Sequence, residues 1–123
     1  MLQEDTVMIA YETMIGTVSI SESFLSKLIG HEVTSCFGVV GMIPNGNRQR
    51  IAGLISRNQS INTGIKVTGD FNALSVELHI AVVYGMNINA IAASITEKVK
   101  YAVMESTGIT VNKVIVKVDG IKE

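Results

Sequence analysis

Tryptophan is absent from this 123-residue chain, and proline and cysteine occur once each, at Pro44 and Cys36. A single cysteine excludes an internal disulfide and fits a reducing compartment. Charged residues make up 17% of the chain, where about 25% is typical. Apolar residues reach 47%. That balance excludes intrinsic disorder over most of the length. No apolar run approaches the roughly 18 residues that a membrane span needs. Residues 1–5 are acidic and open no apolar stretch, so no secretory signal is expected. The expectation is a cytoplasmic, single-core domain. The sparse charge further suggests that a partner or a second copy covers part of its apolar surface.

Carboxylates are missing from one long stretch. Residues 33–69 contain none, but they hold Arg48, Arg50, Arg57 and Lys66. Residues 1–32 carry Glu4, Asp5, Glu12, Glu22 and Glu32 against Lys27 alone. The net charge of −1 argues against general nucleic-acid binding. Every arginine of the chain lies in the acid-free stretch, and the guanidinium fork suits carboxylate and phosphate. Arg48, Arg50 and Arg57 are therefore the candidate partner-binding residues. They would meet an acidic protein surface or the head groups of an anionic membrane. A short amphipathic helix over residues 48–57 would set Arg50 and Arg57 on one face, beside Ile51, Leu54 and Ile55. A helix this short binds lipid weakly, which favours a protein. The competing reading is a solvated loop that happens to lack carboxylates.

Apolar periodicity marks the remaining elements. Residues 6–11 read as an extra edge strand or an arm. Residues 17–20 read as a short strand, with Val18 and Ile20 on one face. Ser21 caps a first helix whose stripe is Phe24, Leu25, Leu28, Ile29, Val33 and Cys36, with Gly38 as its stop. Residues 39–42 read as a short strand. After the Pro44-Asn45-Gly46 turn and the polar residues 58–64, residues 65–68 pair as a hairpin with residues 73–84. In that long strand Leu74, Val76, Leu78, Ile80, Val82 and Tyr84 face one way. Ser75, Glu77, His79, Ala81 and Val83 face the other. Asn87 or Asn89 caps a second helix with the stripe Ile88, Ile91, Ala92, Ile95, Val99, Ala102 and Val103, closed by Gly108. Residues 111–118 form the last strand, with Val114, Val116 and Val118 inward and Lys113, Ile115 and Lys117 outward. The predicted class is α+β: a small mixed sheet with two main helices on one face and two β-α-β-like units with right-handed crossovers. Residues 1–15 are an arm or edge strand, and residues 16–121 form the single domain.

Catalytic chemistry is sparse. No Gly-rich phosphate loop, HExxH or CxxC is present. Cys36 lies on an apolar stripe, the setting of an inert thiol. His31-Glu32 falls on a polar helix face as an ordinary surface pair. Glu77 and His79 share one strand face and could offer two metal ligands, but no third is visible, so a cross-strand pair or an interface contact is expected. The sequence from Gly38 to Gly41 matches by letter the GxxG loop with which KH domains clamp RNA. Its middle residues are two valines and no second helix follows, so a helix stop and tight turn is the better reading. No catalytic, cofactor-binding or metal-binding residue is assigned.

Several segments, taken in order, resemble one family. Residues 33–42 (VTSCFGVVGM) are similar to the helix-ending V-x-G-V-x-G-M signature of the alkaline shock protein family of Gram-positive bacteria, also called the envelope stress response family. The similarity continues in residues 63–67 (TGIKV), 80–88 (IAVVYGMNI) and 99–108 (VKYAVMESTG), and ends in the strand of residues 111–121. Members named for alkaline shock carry long charged tails. This chain resembles instead the short subgroup often encoded beside a dihydroxyacetone-kinase-like fatty acid kinase. The resemblance implies a non-enzymatic, cytoplasmic interaction or scaffold protein that needs no cofactor and serves cell-envelope or lipid homeostasis. Its implied partners are a second copy and a fatty-acid-kinase-like protein, through which it could sit at the membrane periphery. Two alternatives stand beside this reading: a small ligand-binding or regulatory domain acting on a neighbouring fatty-acid-metabolism enzyme, and a KH-like RNA-binding domain.

Overall fold

Alternation over eleven residues builds the strand on which everything else is assembled. The computed structural model describes residues 8–43 and 64–123. In it, the described elements run β1 (Met8–Thr13), β2 (Gly16–Ser21), α1 (Glu22–Thr34), β3 (Val39–Met42), β4 (Ile65–Asp70), β5 (Ala73–Val83), α2 (Ile88–Thr107) and β6 (Val111–Lys122). β5 lies at the centre of a mixed sheet. β6 runs parallel to it along one edge, from Leu74↔Val111 to Val83↔Lys122. The other edge is shared. β4 takes the first half, from Asp70↔Ala73 to Ile65↔Leu78, and β3 takes Ile80 to Val82, both antiparallel. β1 and β2 pair separately as an antiparallel hairpin.

The inward row of β5 faces the helices. Leu74, Val76, Leu78 and Ile80 are each 0% exposed, and they meet Leu25, Ile29 and Val33 of α1 and Ile91, Ile95, Val99 and Val103 of α2 in one core. Ser21 caps α1 by accepting the Phe24 N–H at 3.1 Å. Asn87, rather than Asn89, caps α2 by accepting the Ala90 N–H at 3.1 Å. Gly108 closes α2 in a left-handed conformation. The segment left open as arm or edge strand is β1, whose Ile9 is buried in the core and whose Tyr11 ring lies 4.3 Å from that of Phe71.

Several expectations need correction. Phe24 and Tyr84, assigned to the core, are 50% and 67% exposed. The buried face of α1 turns toward the small residues Ser26 and Gly30. At 3.6 residues per turn, Phe24 then points to the opposite side. Tyr84 lies past the last residue of β5. Ile88 is half-exposed because the first residue of α2 overhangs the core. α1 stops at Thr34 with Ser35 as its C-cap, not at Gly38. Gly38 instead makes the turn into β3 at φ 95°, where a Cβ would come within 2.8 Å of Ile91 Cδ1. Only the second cassette, β5-α2-β6, joins parallel neighbours in one sheet. In the first, β2 and β3 belong to different sheets, so α1 is not a crossover within one sheet. β6 continues four residues beyond the expected end at Val118, to Lys122.

Ile80 has no contact with solvent. Ile80→Ala should lower the unfolding free energy by about 2–5 kcal/mol, measured by urea denaturation with an unchanged m-value.

Candidate functional site

The face of β5 turned away from the helices carries the chain's most concentrated chemistry among the described residues. Period-two alternation sets Glu77 and His79 side by side there. The parallel register adds β6, with Lys117 opposite His79. The ladder then slips. Val118 pairs with Ile80 and Gly120 with Ala81, so Asp119 is an extra residue in a bulge. That bulge brings Asp119 Oδ2 to 2.6 Å from His79 Nδ1. On the other side of the ring, Glu77 Oε2 stands 2.9 Å from Nε2. Lys117 Nζ completes the row at 3.7 Å from the same Glu77 oxygen, and Lys66 of β4 pairs across from Glu77.

Burial decreases along this row. The side chains of His79 and Asp119 are 7% and 13% exposed, and that of Lys117 is 51% exposed. Buried polar groups are tolerated when each finds a partner, and among the described residues no buried side-chain nitrogen or oxygen is left without one. The hydrogen bond from His79 holds the Glu77 carboxyl below the usual glutamate range. Lys117, the His79 charge and Lys66 act in the same direction, against partial desolvation.

The backbone of His79 is equally engaged. Its C=O accepts the Ile43 N–H at 2.9 Å, and its N–H donates to the Gly64 C=O at 3.0 Å. Ile43 and Gly64 therefore bond to the C=O and N–H of one residue, on one edge of β5. Gly64 has φ 78°, and a Cβ there would collide with the Ile43 carbonyl oxygen. Beside this point an open hollow of about 280 Å³ is lined by Gly64, Ile65, Lys66, Glu77 and His79.

The arrangement limits its own chemistry. An imidazolium donates from both ring nitrogens; a neutral ring donates from one and requires a carboxyl proton for the other contact. In either form both nitrogens are engaged within the protein. No group of three or more His, Cys, Asp or Glu among the described residues is placed to hold a metal ion. Cys36 is buried, its Sγ 3.6 Å from the Glu32 carbonyl oxygen and 3.9 Å from Ser94 Oγ. Arg48, Arg50 and Arg57, and the helix expected over residues 48–57, lie outside the described residues. The Glu77–His79 pairing was legible as two residues on one face. Asp119 was not singled out, although it continues the outward series Lys113, Ile115, Lys117. What the sequence hid was the β5–β6 register and the bulge.

Comparison with known proteins places the chain in a family. The model of the Asp-23 family, cell envelope-related function, matches residues 10–123. The chain belongs to that family, the alkaline shock protein family. It is 27% identical to the uncharacterized protein YloU of Bacillus subtilis over 114 residues, covering 93% of this chain and 95% of YloU. It is 27% identical to the uncharacterized protein Spy1614 of Streptococcus pyogenes over 110 residues, covering 89% of this chain and 91% of that one. Bacillus subtilis YqhY is 24% identical over 113 residues, covering 90% of this chain and 81% of YqhY. No solved structure matches. No helix of the described residues is long and apolar enough to cross a membrane.

Glu77 provides the test of the row. A carboxyl held below its unfolded value stabilises the native state above that value and loses the contribution as pH falls through the folded one. Glu77→Gln should therefore be less stable than the parent chain at neutral pH, and the gap should close as pH falls below about 4. Urea denaturation of both proteins at neutral and acid pH measures this.

Proposed function

We propose that this member of a cell envelope-related family is a non-catalytic interaction protein that works in the cytoplasm, as a homo-oligomer and bound to a protein partner. One observation carries the reading. Large apolar side chains stand in solvent at the end of the sheet where β5 finishes: Phe37 is 85% exposed, Tyr84 67% and Ile121 51%. The backbone gathers them. Val83 N–H donates to Gly38 C=O, next to Phe37, and Tyr84 N–H donates to Lys122 C=O, next to Ile121. A clustered apolar surface of this kind is what a partner covers. The engaged histidine row also supports a role without catalysis. The implied partner is a fatty-acid-kinase-like protein, and Arg48, Arg50 and Arg57 are the charged part of the contact. The second reading, a small ligand-binding domain, has the hollow beside Lys66 and Glu77 in its favour.

The test is affinity capture from the native host with mass spectrometry, comparing the parent chain with a variant carrying Arg48→Glu, Arg50→Glu and Arg57→Glu. The variant should keep its circular dichroism spectrum and lose a fatty-acid-kinase-like protein that the parent retains. Retention should weaken as salt rises. Equal capture of that protein by the folded variant at equal salt would remove the arginines from the contact. Its absence from the parent's capture would count against the partner.

A further inference from the structure

β6 is the longest strand among the described residues, and among them it pairs with β5 alone. Among the described residues its second edge is therefore an open row of backbone donors and acceptors. Val114, Val116 and Val118 on the helix side of this strand are only half-buried, although they pack against the core. On the other side Lys113 and Lys117 are exposed, and Asp119, which follows them, is turned to the His79 ring. We propose that the open edge of β6 pairs antiparallel with β6 of a second copy, about a two-fold axis through Val116, to make one continuous sheet across a dimer.

The register follows from charge. A two-fold relation makes the strands antiparallel and places each residue opposite one of the second copy. Residues on one face must pair with residues on the same face, so the axis passes through a residue of the strand. An axis at Ile115 sets Lys113 opposite Lys117 of the second copy, and an axis at Lys117 sets that lysine opposite itself. Like charges directly opposed are destabilising. An axis at Val118 leaves Val116 against Gly120 and Val114 against Lys122. An axis at Val116 sets Ile115 against Lys117 twice, Val114 against Val118 twice, and Val116 against itself. The half-buried valines then cover one another on the helix side, and no two lysines stand directly opposed on the other. Lysines and bulges usually guard a sheet edge. Here the lysines oppose the registers centred on Ile115 and Lys117, and the slips at Asn112 and Asp119 confine regular pairing to the residues between them.

This deepens the self-association in the proposed function and makes no use of the partner protein, so failed capture of that protein leaves it standing. The experiment has two arms. In a Cys36→Ser background, single cysteines at Val114, Ile115, Val116, Lys117 and Val118 are oxidised, and covalent dimer is read on a non-reducing gel. Only a residue opposite itself brings two Cβ atoms within disulfide reach, so Val116→Cys should cross-link and its neighbours should not. In the second arm, Ile115→Lys places like charge opposite Lys117 at both symmetric positions. It should weaken the dimer about tenfold by sedimentation while leaving the circular dichroism spectrum unchanged. A monomer at roughly 100 μM protein overturns both this proposal and the self-association. A dimer that cross-links best at another position, or that is indifferent to Ile115→Lys, overturns the β6 pairing alone.

Discussion

One strand is hydrogen-bonded along its whole length on both edges, and the rest of the fold follows from that. β5 supplies β6 with a parallel edge and divides its antiparallel edge between β4 and β3. One face of the strand is covered along its length and the other in part. The helix side is a continuous aliphatic row with no contact with water. The opposite side is buried at His79 and Ala81, where Ile43 and Val40 pack. A buried histidine at that place requires partners, and the two carboxylates of Glu77 and Asp119 supply them.

Sharing one edge between two strands has a topological consequence. Ile43, just after β3, and Gly64, just before β4, stand at adjacent points of that edge, and the backbone of His79 bonds to both. Side chain and backbone of this residue thus join four places in the chain: Ile43, Gly64, Glu77 and Asp119. A polar network of this kind specifies one register better than it raises net stability. A shift of β6 by one residue would turn Asp119 to the other face and leave the ring unpaired at Nδ1. The bulge at Asp119 is what sets that carboxylate at the ring while β6 continues to pair beyond it.

Those parts of the fold governed by local period were legible in the sequence. Six alternating apolar positions defined β5, and Ser21, Asn87 and Gly108 marked helix ends by their chemistry. What depends on pairing was not. Period alone does not say that β2 joins β1 while β3 joins β5, or that β6 slips at Asp119. Phe24 was misplaced for a related reason: a helical stripe leaves two faces open, and the small residues Ser26 and Gly30 decided which one packs. Tyr84 fitted the alternation but stood one residue past the last strand pairing. The family was visible in ordered short segments, because those segments sit at the turn into β3, the start of β4, the end of β5 and the end of α2, where the fold is most constrained.

Native-state hydrogen exchange tests the central role of β5 most directly. The amides of Leu78, His79, Ile80 and Val82 should exchange only through global unfolding, at the free energy found by denaturation, whereas those of β1 and β2 should open at lower cost. Exchange of the β5 amides at or below the protection of the β1–β2 hairpin would contradict the account.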